Sequence, residues 1–158
     1  GPCGSRAGGG SRSRSNGATA ARSASTPESA DWQWETVITK HLVPEIDRRY
    51  RTWTEPVGRG IVGLSMGGHG AIYLCARHPE LFSACGSLSG VMDLRQSTRQ
   101  YDLAKRLGPY DANPQRWLEH SAIGLADKFA GRNVGVFIEC GLEDVFIDTV
   151  EHGREGGA

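Results

Sequence analysis

The sequence predicts an α/β protein with a mostly parallel sheet and helices on both faces. Three short apolar runs, each with the length of a strand, alternate along the chain with segments of helical spacing. Runs that are apolar throughout, rather than alternating, are typical of strands buried on both faces in a parallel sheet. The chain has 158 residues, enough for one domain with a hydrophobic core. We therefore expect one α/β domain, which we place at residues 31–158.

Residues 1–30 differ in composition from the rest of the chain. They consist almost entirely of Gly, Ser, Ala and Arg and contain no aromatic or large aliphatic residue. Such a segment cannot bury enough apolar area to offset the entropy lost on ordering. We predict that residues 1–30 form a low-complexity, disordered segment outside the domain.

The segment 31–50 has the spacing of an amphipathic helix. Apolar residues recur at every fourth position and form one stripe: Trp34, Ile38, Leu42, Ile46 and Tyr50. Asp31 can cap the helix at its start, and Arg48 and Arg49 suit the dipole at its end. Pro44 lies inside the pattern and should kink the helix or loosen one turn.

A strand and a helix are predicted next. The run "GIVGLS" is rich in β-branched residues and predicts a buried strand that ends near Leu64. Residues 66–77 have helical spacing, and the pair His78-Pro79 ends them because the residue before proline disfavours helical backbone angles.

Two further strands enclose a long connection. The runs "LFSACGSLSG" (81–90) and "NVGVFIECG" (133–141) predict the second and third strands. Between them, "RQSTRQYDLAKRLG" and "NPQRWLEHSAIGLADKF" both have helical spacing. Strands that alternate with helices in this way indicate a parallel sheet.

Two glycine motifs overlap at the first strand. Gly58, Gly60 and Gly63 spell G-x-G-x-x-G, whereas Gly63, Ser65 and Gly67 spell G-x-S-x-G. A dinucleotide fingerprint must follow a strand and open a helix, so that the phosphate meets free backbone amides. Here the first two glycines precede the strand, so the nucleotide interpretation is disfavoured and the serine motif is favoured.

Ser65 lies where a nucleophile belongs, at the junction of a buried strand and a helix. In such a turn the hydroxyl is exposed, and the amide of Met66 points at a developing oxyanion. Gly63 and Gly67, together with Gly68 and Gly70, are expected to leave room for neighbouring chain segments. The alternative is a chance G-x-S-x-G in a glycine-rich loop.

An acidic loop follows the third strand and supplies the candidate triad acid. In this type of site the chain order is Ser, then Asp or Glu, then His, each after a strand. The segment "IECGLEDVF" offers Glu143 and Asp144, and the residues alone do not choose between them. The alternative is a polar loop that only caps the next helix.

None of the five histidines fits the position of the triad base well. His69 is four residues beyond Ser65 on the helix, where its ring cannot easily reach back over the hydroxyl, so we interpret it as a packing residue or one that supports the site. His152 follows the acid but is only eight residues beyond Asp144, with no strand between them. The others lie in helical segments or at helix ends: His41, His78 and His120.

Composition excludes several classes of function. The net charge is zero, so no nucleic-acid partner is implied. No apolar run approaches the roughly 20 residues that span a bilayer, and no signal peptide is visible, which leaves the compartment open with the cytoplasm favoured. The four cysteines show no zinc spacing and predict free thiols rather than a disulfide framework. We expect no metal and no cofactor.

Several segments closely resemble one family. "GRGIVGLSMGGHGAIYLCARHPELFSACGSLSGVMDL", "WETVITKHLVPEIDRRYRT", "NPQRWLEHSAI" and "IECGLEDVFID" resemble the esterases around esterase D and S-formylglutathione hydrolase. The resemblance runs from about Trp32 to Asp148. The run "GLSMGGHGA" followed by "GSLSG" is far more specific than G-x-S-x-G alone. Related feruloyl esterases and mycolyltransferases share the general pattern.

The resemblance implies a partial α/β-hydrolase fold and a serine esterase or thioesterase that acts on small-molecule esters. Ser65 matches the family nucleophile, and Asp144, rather than Glu143, matches the acid. The family histidine loop and the loop with the second oxyanion amide have no match in this sequence. We therefore expect the central portion of a hydrolase, and a poor catalyst in this form. Acyl specificity and oligomeric state stay open.

A function of another class is also considered. The chain could be a non-catalytic module that keeps the hydrolase scaffold and binds a glycan or a protein, or a fragment with no function of its own. The aromatic contacts to such a partner would come from the four tryptophans: Trp32, Trp34, Trp53 and Trp117. The alternative is that they are core residues, which is more common for tryptophans on helix faces.

Overall fold

The computed structural model describes residues 34–99, 101–145 and 147–148. Its centre is one parallel sheet with the strand order β1-β2-β3, where β1 is Gly60–Leu64, β2 is Ala84–Leu88 and β3 is Gly135–Glu139. Leu64, Leu88 and Glu139 are register partners, so the three strands end level at one edge. The predicted α/β class and parallel sheet are confirmed, and the sheet of the described residues is a partial one.

The chain enters through a helix of three successive parts. Helix α1 (Trp34–Thr36) continues as a π-helical segment (Val37–Leu42) and then as helix α2 (Val43–Arg49). The wide turns end at Leu42, two residues before Pro44, which is the second residue of α2. Because proline has no N–H for the helical ladder, a loosened turn at this point is expected. The predicted cap residue Asp31 lies outside the described residues.

The apolar stripe expected on this helix is mostly exposed, so that interpretation was wrong. Trp34 is 69% exposed and Tyr50 is 63% exposed. Within the stripe Ile38 alone packs against the core, and the other residues of this helix that face the core are Thr39 and Val43. The π-helical segment has more residues per turn than an α-helix, and it therefore shifts the face that points inward.

Helix α3 (Met66–Arg77) joins β1 to β2 and ends at His78, as predicted. It packs on the sheet face that carries Ile61, Cys85 and Ile138, and its own buried residues complete the main core. The approach is close, since a Cβ added at Gly68 would lie 2.5 Å from Ser87 Oγ.

The opposite face of the sheet is less buried than predicted. Val62 is 68% exposed on β1 and Phe137 is 55% exposed on β3. In the described part of the chain, α3 covers one face of the sheet and these apolar side chains of the other face lie open. The expectation of fully buried strands therefore holds for β2 but not for β1 and β3.

The connection from β2 to β3 consists of short turns of helix rather than two long helices. It contains α4 (Leu103–Leu107) and α5 (Pro114–His120), and 3₁₀ segments at Leu94–Ser97, Tyr110–Ala112 and Ile123–Phe129. Tyr101 and Asp102 have positive φ values of 59° and 54°, which break the first predicted helix. A smaller core of this connection surrounds Trp117.

No helix among the described residues is long and apolar enough to cross a membrane.

Candidate active site

Ser65 connects the last residue of β1 to the first residue of α3 in an unusual backbone conformation. Its φ is 55° and its ψ is −122°. Its N–H donates to the carbonyl of Leu88 at 2.9 Å, and its own carbonyl accepts from the amides of Gly68 at 2.9 Å and His69 at 3.2 Å. A residue with a side chain at this φ costs about 1–3 kcal/mol, so the surrounding hydrogen bonds must hold it there.

The turn around Ser65 requires glycine at two of the four glycine positions near it. A Cβ at Gly63 would lie 2.1 Å from the carbonyl oxygen of Gly67, a distance that no substitution can accommodate without movement. A Cβ at Gly67 or at Gly70 would meet nothing within 4 Å among the described residues. The predicted need for clearance therefore applies to Gly63 and Gly68, whereas it was wrong for Gly67 and Gly70.

The start of α3 presents backbone donors beside Ser65. The first N–H groups of a helix have no acceptor within the helix. Those of Gly68 and His69 bond to the Ser65 carbonyl, which leaves those of Met66 and Gly67 without an acceptor within the described ranges. The α3 helix has 12 residues, and its dipole favours negative charge at this end. The arrangement can stabilise an anion next to the Ser65 hydroxyl.

Asp144 lies at the same edge of the sheet, in the loop after β3. Its N–H donates to the carbonyl of Gly141 at 3.0 Å, and its carbonyl accepts from Ile147 at 3.1 Å, so the loop forms a tight turn. Asp144 is half-buried, whereas Glu143 is exposed. Because β2 lies between β1 and β3, the strand ends that precede Ser65 and Asp144 are about 10 Å apart.

Cys140 connects this loop to the end of β2. Burial raises the pKa of the Cys140 thiol and the nearby carboxylate of Asp144 raises it further, whereas a hydrogen bond with Ser89 works in the other direction. Cys140 is therefore within electrostatic reach of Asp144 and in hydrogen-bonding contact with Ser89, the residue after β2.

His69 is held away from the Ser65 hydroxyl by its own contacts. It is 9% exposed, and its Nε2–H donates to the carbonyl of His120 at 2.8 Å. Its ring stacks on Tyr73 at a centroid distance of 5.7 Å. Burial lowers the pKa of His69, although the hydrogen bond to the His120 carbonyl opposes this. These contacts favour the packing interpretation of His69.

The other described histidines are engaged elsewhere. His78 lies at the far end of α3, with Nε2 at 2.6 Å from Glu35 and Nδ1 at 3.0 Å from Glu80. The Nδ1 of His120 lies 2.8 Å from the carbonyl of Arg116. His41 is exposed on the π-helical segment, so it does not supply the base in this structure. His152 lies outside the described residues.

An apolar cavity of about 180 Å³ lies beside α3 and was not anticipated from the sequence. One wall consists of α3 residues with the spacing i, i+3, i+4, i+7 and i+8: Met66, His69, Gly70, Tyr73 and Leu74. The remaining walls come from the first helix and from the β2–β3 connection: Trp34, Glu35, Ile38, Leu94, Leu103 and His120. The helical periodicity of the α3 residues was the available signal, but it does not distinguish a cavity wall from packed core.

The tryptophans divide between core and surface. Trp117 is fully buried, whereas Trp34 and Trp53 are 69% and 65% exposed. The core interpretation is thus confirmed for Trp117 and wrong for the other two described ones. Trp32 lies outside the described residues.

Comparison with known proteins gives a consistent result. The family model described as "Putative esterase" matches residues 2–154. The diacylglycerol acyltransferase/mycolyltransferase Ag85B of Mycobacterium leprae (strain TN) is 30% identical over 122 residues, which cover 70% of this chain and 36% of the relative. The chain thus spans about a third of the length of this curated relative.

Solved structures share the arrangement of strands and helices. A ferulic acid esterase superposes with a TM-score of 0.64 at 27% identity, covering 79% of this chain and 47% of that protein. The S-formylglutathione hydrolase FrmB of Staphylococcus aureus superposes with a TM-score of 0.53 at 20% identity, covering 78% of this chain and 49% of that protein. The fold is that of the α/β hydrolases, present here in part.

Proposed function

Because the chain belongs to the esterase family whose model matches residues 2–154, we propose that it takes part in ester hydrolysis through an acyl-enzyme on Ser65. The observation that carries this proposal is the backbone of Ser65, with a φ of 55° between β1 and α3. That conformation lifts the hydroxyl out of the sheet edge and sets it beside the free amides at the start of α3. A strained residue at such a junction is typical of a catalytic nucleophile.

The proposed reaction begins when the Ser65 oxygen attacks the carbonyl carbon of an ester or thioester. The carbonyl oxygen becomes an oxyanion and accepts a hydrogen bond from the N–H of Met66. The tetrahedral intermediate then collapses and expels the alcohol or thiol, which leaves the acyl group on Ser65. Water attacks the acyl-enzyme in the same manner and releases the carboxylic acid.

A base must take the Ser65 proton and return it to the leaving group. We assign this role to a histidine beyond the described residues, since three of the described histidines have the other contacts given above and the fourth, His41, is exposed on the π-helical segment. Asp144 would orient that histidine and stabilise its cation, as the acid does in a serine triad. The half-buried position of Asp144 in the loop after β3 supports this choice over the exposed Glu143.

The substrate is proposed only as a class. The names of the relatives include an acyltransferase and a ferulic acid esterase, and the first step of both reactions is transfer of an acyl group. A small-molecule ester or thioester fits the site, because the chemistry above needs only a carbonyl and a leaving group. It requires no metal and no cofactor.

A pair of matched variants on one loop tests the proposal. In the protein as its gene encodes it, Asp144→Asn is expected to lower kcat for p-nitrophenyl acetate by about 10⁴-fold, the size of the same change in a known triad. Glu143→Gln, one residue earlier and exposed, should leave kcat within about twofold. Equal activity of Asp144→Asn and the parent protein would overturn the triad assignment, as would an equal loss in the Glu143→Gln control.

A further inference from the structure

The cavity beside α3 starts next to the proposed nucleophile. Met66, which follows Ser65, forms one end of the α3 wall, and Leu74 forms the other end. Eight residues of α-helix correspond to about 12 Å, so the cavity extends along α3 away from Ser65. A group attached to a carbonyl at Ser65 can therefore enter the cavity past Met66.

The shape of the cavity favours a slender ligand. Its volume is about 180 Å³, little more than the 150 Å³ of an engineered cavity that holds one benzene. The α3 residues that line the cavity span about 12 Å, so its wall on this helix is longer than a compact ring. A straight alkyl chain fills such a space, whereas a compact ring fills only part of its length.

The walls offer apolar contact rather than hydrogen bonds. Ile38, Leu94 and Leu103 face the cavity from the other elements. The Nε2–H of His69 is already used by the carbonyl of His120, so this imidazole presents its ring to the space. Burial of an unbranched hydrocarbon is favourable against such walls by about 25 cal/mol per Å² of apolar surface.

We propose that the cavity binds the straight alkyl chain of an acyl group whose carbonyl lies at Ser65. This inference rests on the proposed function, because the acyl-enzyme chemistry is what places the carbonyl at Ser65. It makes the substrate class an ester or thioester of a straight-chain, medium-length fatty acid. The chain enters past Met66 and runs along α3 towards Leu74.

Gly70 gives a direct way to block the cavity. It lines the space on α3, and a Cβ at this position would meet nothing within 4 Å among the described residues. Gly70→Leu therefore adds a side chain into the cavity without a backbone clash. Ala104→Leu is the matched control, because it adds the same kind of bulk at an exposed position of α4.

The test is calorimetric titration with straight-chain carboxylates from butanoate to dodecanoate, which mimic the acid product. The affinity of the full chain should rise about fourfold with each added methylene until the cavity is full, and then stay constant. Heptanoate should bind more tightly than benzoate, which has the same number of carbons. Gly70→Leu should lower the affinity for octanoate at least tenfold, Gly70→Ala should have a smaller effect in the same direction, and Ala104→Leu should change nothing.

The outcomes separate the cavity from the chemistry. An affinity independent of chain length, tighter binding of benzoate than of heptanoate, or equal octanoate affinity in both leucine variants would overturn the cavity assignment. Ser65→Ala should bind octanoate as the parent does. If the Asp144→Asn test fails while the chain-length series and the Gly70 effect persist, the proposed chemistry falls and the alkyl-chain site stands.

Discussion

Replacement of Ser65 by glycine should give a more stable protein than replacement by alanine. Both variants lose the hydroxyl, so any difference between them comes from the backbone, whose φ at this position is 55°. A side chain at such a φ costs about 1–3 kcal/mol, and glycine does not pay this cost. Glycine does lose more conformational freedom on folding, by about 0.5–1 kcal/mol relative to alanine. The difference leaves about 1 kcal/mol in favour of Ser65→Gly.

Urea unfolding measures this difference. With a slope of about 2 kcal/mol per M, the midpoint of Ser65→Gly should be about 0.5 M higher than that of Ser65→Ala. Ser83 provides the control, because it is a serine directly before β2, at the opposite edge of the same sheet, that does not have a positive φ. There the order should reverse, with glycine less stable than alanine. If the order at Ser65 matches the order at Ser83, the backbone of Ser65 is not strained and the reasoning is refuted.

Two further predictions concern the helix after Ser65. Gly63→Ala should destabilise the chain by about 3 kcal/mol, because its Cβ would lie 2.1 Å from the carbonyl oxygen of Gly67. Gly67→Ala should be neutral or stabilising. Similar urea unfolding midpoints for the two variants would contradict this prediction. The folded-state pKa of His69 is lowered from 6.5, so the unfolded chain takes up a proton at this residue before the folded chain does as the pH falls. The contribution of neutral His69 to the free energy of unfolding should therefore be fully present above pH 6.5 and be lost as the pH decreases below it. In His69→Gln that dependence should be absent from unfolding midpoints measured between pH 5 and 8, and an unchanged slope would exclude His69 as its source.

The central elements were predictable because local signals and tertiary packing agree there. The helix Met66–Arg77 begins after Ser65 and ends before Pro79, as the sequence indicated. The strands were placed correctly by their apolar runs, although β2 and β3 are both shorter than predicted. The choice of site residues followed from the strand positions, because Ser65 comes directly after β1 and Asp144 lies in the loop after β3, and the carboxyl ends of both strands share one edge.

Other features depend on geometry that periodicity alone does not contain. The predicted stripe from Trp34 to Tyr50 was based on 3.6 residues per turn. The π-helical segment Val37–Leu42 has more residues per turn, so different side chains face the core and most of the stripe is exposed. The positive φ at Tyr101 interrupts a segment whose spacing is helical. The cavity beside α3 forms where α3, the first helix and the β2–β3 connection meet. No single segment of sequence encodes the distances between these three elements.

The reactivity of the Ser65 hydroxyl is the most direct test of the proposal that Ser65 is a catalytic nucleophile. The protein as its gene encodes it would be treated with a fluorophosphonate probe, and the modified serine identified by peptide mass spectrometry. Ser89 is the internal reference, because it also has a positive φ, 48°, at the end of a strand of the same sheet. We expect modification at Ser65, none at Ser89, and none in Ser65→Ala. A folded protein in which Ser65 stays unmodified, or reacts no faster than Ser89, would contradict it.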